Sequence, residues 1–142
     1  MIIWIDRRLA LAIHERQLAE HGGGTGVRDE ALLESALARP QQRHVYGRPP
    51  PDLADLAASL AYGLARNHPF VDGNKRTAAV ACEVFILLNG ARLQADDLEL
   101  YPQYVGLAAG DVAEQAFADW LRPRIVTAHA GKVQEKRAAY RR

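Results

Sequence analysis

The sequence predicts a single all-α domain of about six helices around a buried central helix that starts at Asn74. Two observations carry this. Leu53, Leu56, Ala57, Leu60, Ala61, Leu64 and Ala65 recur at three- and four-residue spacing, which puts an apolar stripe on one face of a helix. Thr77 to Leu88 then contains one charged residue, Glu83, and a helix apolar nearly all round is a buried helix. A chain of 142 residues, 49% hydrophobic and 25% charged, has the length and composition of one globular domain with one core.

In chain order, Asp6 is an N-cap for a helix carrying Leu9, Ile13 and Leu18 to about Glu20. Gly22-Gly23-Gly24 ends it and reads as a turn. No Lys-Ser/Thr follows these glycines and no strand precedes them, so they are neither a phosphate loop nor a dinucleotide fingerprint. His14-Glu15 opens like a zinc-protease motif, but Leu18 stands where the second histidine belongs. Asp29 to Ala38 is the second helix, with Leu32, Leu33 and Leu37 inward and Pro40 as its stop. Gln41 to Pro51 then reads as a long polar connection, of a length that in compact domains often carries function.

The third helix ends near Asn67 or His68, because Pro69 forces the residue before it out of the α region. The central helix closes at Asn89-Gly90, a C-cap signal. Asp96 to Ala109 is a fifth helix, its start delayed or its axis kinked by Pro102. Gly110 separates it from a sixth, opened by Asp111 and carrying Val112, Phe117, Trp120 and Leu121.

Between the third and fourth helices lies His68-Pro69-Phe70-Val71-Asp72-Gly73-Asn74-Lys75-Arg76, a turn that breaks a local rule. Lys75 and Arg76 occupy the first turn of a helix, where the dipole is positive and cations are disfavoured. The first backbone N–H groups there lack partners within the helix. A bound anion satisfies both, and Gly73 lets the backbone approach it closely. A phosphate chain is the natural ligand. His68, which titrates near neutrality, and Asp72, which suits Mg²⁺, flank it. The plain alternative is a capped turn with solvated cations.

HPFVDGNKR resembles the motif of the Fic/Doc superfamily, HPFx[DE]GNGR in Fic enzymes and HxFxx[AG]NKR in death-on-curing (Doc) toxins. Lys75 falls on the Doc side, whereas Pro69 and Gly73 are Fic-like. Weaker similarity to Doc-type toxins runs from Gly22-Gly23 to about Leu121. The resemblance implies the Fic fold and an ATP- and Mg²⁺-dependent transfer to a Ser, Thr or Tyr hydroxyl of a target protein. In it His68 is the general base, Asp72 holds Mg²⁺ or orients the hydroxyl, and Gly73, Asn74 and the next N–H groups cradle phosphate. Lys75 and Arg76 neutralise the transferred group, and Arg66 adds a phosphate contact or simply a cation at a helix end. A family flap lining the target groove places His44, Val45 and Tyr46 as flap candidates, against a plain surface loop.

Two chemistries follow from the resemblance: AMP transfer, as in Fic enzymes, or phosphate transfer to elongation factor Tu, as in Doc. A lysine stem at position 75 fills the space that a glycine leaves for the phosphate chain, which favours the kinase. A binding module without chemistry is the alternative of another class. Autoinhibited Fic proteins carry an [ST]xxxE[GN] segment, and none occurs here: Thr25 leads to Asp29, Ser35 to Arg39, Ser59 to Gly63 and Thr127 to Gly131. Regulation is therefore expected from a separate antitoxin polypeptide covering the groove.

Composition bounds the rest. The lone Cys82 lies in the buried-helix pattern, so no disulfide forms within the chain and a reducing cytoplasm is the expected setting. No apolar run approaches membrane-spanning length. Residues 122–142 hold seven Lys and Arg against Glu135, a balance of +6, which leaves the remainder of this +1 chain at −5. The body thus lacks the surplus of positive charge that nucleic-acid binding uses. The expected division is a domain over 1–123 and a basic tail over 124–142, solvated and partly disordered.

Overall fold

A computed structural model of the chain describes residues 1–127. The helices are α1 (Arg7–His21), α2 (Glu30–Tyr46), α3 (Leu53–Asn67), α4 (Asn74–Leu88), α5 (Asp97–Ala109) and α6 (Glu114–Leu121). The all-α expectation of about six helices holds. Two three-residue strands, absent from the sequence reading, pair antiparallel: β1 (Ala91–Leu93) and β2 (Ile125–Thr127), with Arg92 opposite Val126. Residues 125–127, read from the sequence as the start of the basic tail, are thus paired with β1. The expectations for the rest of the tail lie outside the described residues.

α3 is the axis of the bundle and packs against α2, α4, α5 and α6. Its small residues make this possible. A Cβ added to Gly63 would stand 3.1 Å from the Ala36 Cα and 3.2 Å from its Cβ, so α2 and α3 cross at close range. α4 begins at Asn74 as expected and buries Thr77, Ala78, Ala81, Cys82, Phe85 and Ile86. Its remaining apolar face, with Ala79 and Val80, is only partly covered and borders a groove. The near-absence of charge that predicted all-round burial therefore also describes a groove wall.

Two boundaries differ from expectation, the end of α2 and the start of α6, while α5 keeps its expected span. Pro40 lies inside α2, buried, and the helix runs on to Tyr46. An interior proline costs about 3 kcal/mol. Contacts on both sides of it hold the helix together: Arg39 and Arg43 both grip Glu114, and the His44 ring meets Trp4 edge-on at 5.6 Å. Pro102 sits inside α5 without delaying its start, and Asp96 caps that helix by accepting from the Glu99 N–H. α6 is capped at Ala113 instead of Asp111. The N–H groups of Asp111 and Val112 are spent on the Gly106 carbonyl, closing α5. A Cβ on Gly106 would lie 2.4 Å from Val112 Cγ2, so the chain must fold back there before a new helix opens.

The terminal elements are tied to the same core. The Asn89 side chain accepts from the Ile3 N–H and donates to the Ile3 carbonyl, both at 2.8 Å, anchoring the first residues to the end of α4. Trp4 then stacks on Phe85. Among the described residues no helix is long and apolar enough to cross a membrane.

Candidate active site

The site is the link between α3 and α4. α3 ends at Asn67, and His68 adopts the left-handed conformation, φ 48° and ψ 56°, the one non-glycine residue with positive φ among those described. Proline at 69 excludes the right-handed helical region for His68, and the extended region is its usual alternative. Arg28 explains the departure. Its Nε donates to the His68 carbonyl at 2.7 Å and its Nη2 to the Asn67 carbonyl at 2.9 Å. One guanidinium thus satisfies two end carbonyls of α3 and fixes the direction in which the His68 side chain leaves the backbone.

Asn74 shapes the turn itself. Its side-chain oxygen accepts from the Phe70 N–H at 2.9 Å, and its amide donates to the Phe70 carbonyl at 3.0 Å. Both ends of the side-chain amide are thus engaged inside the turn, and the Asn74 backbone N–H is left for a ligand. Phe70 is buried and pairs as a bridge with Val27. Gly73, at φ +75°, is the N-cap of α4 and provides no side-chain cap. The backbone N–H groups of Asn74, Lys75 and Arg76 have no acceptor among the described residues, and the next, Thr77, bonds the Gly73 carbonyl.

Lys75 and Arg76 stand exposed over these N–H groups, with no ion pair among the described residues. The other helix starts differ: α2, α3, α5 and α6 have an acidic residue in the first turn, and α1, which opens on Arg7 and Arg8, is capped by the Asp6 carboxylate and pairs Arg7 with Glu30. A cavity of about 290 Å³ opens at this point, lined by His68, Asp72, Gly73, Asn74, Lys75 and Arg76 and walled by Val71 and Tyr101. The structure therefore gathers all six residues expected at the centre of the site. Lys75, Arg76 and Tyr101 also border an adjoining groove of about 380 Å³, formed by α1, α4 and α5. In that groove burial, and then the charge of Asp97, push the Glu83 carboxyl above its ordinary value.

Asp72 accepts from the Gly73 N–H at 2.7 Å and, through its other oxygen, from the Gly24 N–H at 3.4 Å. Among the described residues no three His, Cys, Asp or Glu side chains converge as a metal centre. Mg²⁺ needs no such cluster, because it is commonly held by one carboxylate and substrate phosphates together. The exposed Asp72 beside free N–H donors fits that mode.

Four expected residues lie elsewhere. Arg66 reaches the carboxyl end of α5, with Nη1 3.3 Å from the Ala108 carbonyl, and does not line the cavity. The helix-end reading of this arginine matches its position. His44, Val45 and Tyr46 form the last turn of α2, not a loop. The Asn67 amide bonds the Leu32 carbonyl near the start of α2, and twelve residues of helix put His44 about 18 Å further along. The loop expectation fails because α2 continues through Pro40.

Sequence reasoning missed what lies against the motif instead. The segment 23–29 crosses it: Val71 N–H bonds the Gly26 carbonyl, and the Arg28 and Asp29 N–H groups share the Pro69 carbonyl. A Cβ on Gly23, at φ +123°, would sit 2.6 Å from Asp72 Oδ2. The glycines read as a plain turn are thus required for a close crossing. His14 is buried and stacks on Phe70, with ring centroids 3.9 Å apart and planes 8° from parallel. Its position on the apolar face of α1 was the single available signal.

The chain matches the family model described as Fic/DOC family over residues 4–86, more than half its length and inclusive of the whole turn. The chain belongs to the Fic/DOC family. Among Fic/DOC relatives it is 34% identical to "Protein kinase doc" of Escherichia phage P1 over 112 residues, 79% of this chain and 87% of that protein. It is 54% identical to "Toxin Doc" of Mycolicibacterium smegmatis over 76 residues. That match covers 53% of this chain and spans 58% of the length of the mycobacterial protein. The fold described above, α-helical around α3 and α4 with the turn between them, is thereby the Fic fold.

Proposed function

We propose that this Fic/DOC protein is a Doc-type toxin that moves the γ-phosphate of ATP to a hydroxyl of a translation protein of the elongation factor Tu type, in the cytoplasm. The observation that carries the proposal is the start of α4. Three free N–H groups and two cations without ion pairs among the described residues converge on one cavity, with an exposed histidine at its rim. The names of the two relatives, a toxin and a protein kinase, support the same reading.

In this reading the phosphates lie on the N–H groups of Asn74, Lys75 and Arg76, with Mg²⁺ beside Asp72. The target hydroxyl stands at His68. Its oxygen attacks the γ-phosphorus while the bond to the β-phosphate oxygen breaks, and ADP leaves. His68 takes the hydroxyl proton as general base. Lys75 and Arg76 face the negative charge on the transferred group. When bound, Mg²⁺ neutralises phosphate oxygens. An antitoxin segment covering the groove along α4 provides the regulation that the missing inhibitory segment leaves open.

AMP transfer is the second reading, favoured by Pro69 and Gly73, which are Fic-like in the motif. There the hydroxyl attacks the α-phosphorus and pyrophosphate leaves. Labelled ATP separates the two. The protein is incubated with Mg²⁺, a cell lysate and ATP carrying label at the α- or the γ-position. The expected result is a target protein labelled from γ-ATP alone. Label from α-ATP makes the protein an adenylyltransferase. No label from either, with a confirmed target present, makes it a binding module. Lys75→Gly should weaken phosphate transfer, and a gain of AMP transfer in that variant assigns the nucleotide's direction to this side chain.

A further inference from the structure

We infer that His14 is a positioning residue that locks the orientation of the Asp72–Gly73 peptide in the anion-binding turn. This role rests on the turn being a phosphate site, as proposed above. His14 is 2% exposed, and its Nε2 lies 2.8 Å from the Asp72 carbonyl oxygen. A carbonyl only accepts, so Nε2 carries the proton and donates. Stacking on Phe70 fixes the ring plane, and the ring reaches across from a helix 58 residues earlier in the chain.

The geometry of a trans peptide gives this bond its consequence. The C=O and N–H of one peptide unit point to opposite sides. With the Asp72 oxygen held inward on His14, the Gly73 N–H donates to the Asp72 carboxylate, which lines the cavity. Rotation of that peptide would turn a carbonyl oxygen toward the anion and break the Gly73 N–H bond that holds the Asp72 carboxylate at the cavity. Glycine at 73 makes such a rotation easy. Its φ of +75° suits glycine, and glycine occupies negative φ equally well. The residue that permits the turn therefore leaves its polarity undetermined, and the buried imidazole determines it.

The alternative for His14 is simple packing, and three variants separate the two roles. His14→Gln places an amide donor near the position of Nε2. His14→Phe keeps the stack without the donor, and His14→Leu keeps neither. The first readout is the ¹⁵N–¹H signal of the Gly73 amide in the protein without nucleotide. The second is the affinity for ATP with Mg²⁺, set beside the melting temperature. In the wild type a protonated, slowly exchanging Nε2 is expected. His14→Phe should move the Gly73 amide signal and weaken ATP binding about tenfold to a hundredfold, the worth of a hydrogen bond to a charged group. His14→Gln should restore both to near wild type.

An unmoved Gly73 signal in folded His14→Phe, with ATP affinity within twofold of wild type, overturns the inference. So does a His14→Gln variant as impaired as His14→Phe, which would make the role steric. Should His14→Phe not fold, an unprotonated Nε2 in the wild type overturns it and the protonated, slowly exchanging form upholds it. ATP failing to bind even the wild type sinks the nucleotide reading alone, and the Gly73 signal then decides the orientation by itself.

Discussion

The starts of α3 and α4 sit at opposite ends of adjacent helices and follow opposite rules. At α3, Asp52 accepts from the Asp55 N–H and the Asp55 side chain accepts from the Asp52 N–H, a reciprocal capping box. Arg122 then bonds Asp52, Asp55 and Asp119, so the acidic cap is itself neutralised. At α4 the cap is a glycine, the first turn is cationic, and three N–H groups point at an open cavity. The first start is closed within the chain and serves stability. The second is left open, and what it lacks describes its ligand: an anion with several acceptor oxygens.

Mutations at the two starts should therefore move different observables. The largest effect belongs to His68→Ala. Transfer should fall by about 10²- to 10⁴-fold, the usual worth of a general base, with far-ultraviolet circular dichroism unchanged because the ring is exposed. Near-normal single-turnover transfer in the folded variant would remove His68 from the base role. Arg76→Gln comes next. Transfer should drop about 10²-fold or more, as for the loss of one charge-stabilising group. Stability should hold or rise slightly, since a cation leaves the positive end of a helix dipole. A lower melting temperature would mean that Arg76 is structural.

Asp52→Ala is the converse. It should cost about 1 kcal/mol of stability through the lost cap while transfer per folded molecule stays constant. Urea denaturation and an activity assay on the same sample test both halves. The cap also predicts a pH dependence. Its hydrogen bond to Arg122 lowers the Asp52 carboxyl from 3.8 to about 2. A depressed carboxylate contributes stability fully above its unfolded value and loses it as pH falls through the folded one. The stability gap between wild type and Asp52→Asn, which retains a capping oxygen, should thus close between pH 4 and pH 2.

The smallest effect has the opposite sign. Burial raises the Glu83 carboxyl above 4.5, so ionised Glu83 costs stability at neutral pH and ceases to do so as pH falls toward its unfolded value. Glu83→Gln should raise the melting temperature at pH 7, with the gain lost as pH falls to about 4.5. A fall at pH 7 would mean that Glu83 has a charged partner in the groove.

Most of this site was legible because it is local. The nine residues from His68 to Arg76 contain the proposed base, the carboxylate, the glycine and both cations, and a helix start imposes its own chemistry on whichever residues occupy it. Caps at Asp6 and Asn89-Gly90 were legible for the same reason, each being a contact over a few residues. Pro40 was misread because a propensity of about 3 kcal/mol was outweighed by contacts with Glu114 and Trp4, far along the chain.

The sequence by itself thus determined an all-α chain and an anion-seeking turn at Asn74. Tertiary structure alone decided what holds that turn in working order: Arg28 on the carbonyls of Asn67 and His68, the glycines of 23–26 across Asp72 and Val71, and His14 beneath the Asp72–Gly73 peptide. The reason is the range of the interactions. A cap or a dipole acts within one helical turn and leaves its mark on spacing. A hydrogen bond between residues 40 or 58 positions apart depends on how whole helices pack, and leaves no periodic trace in the chain.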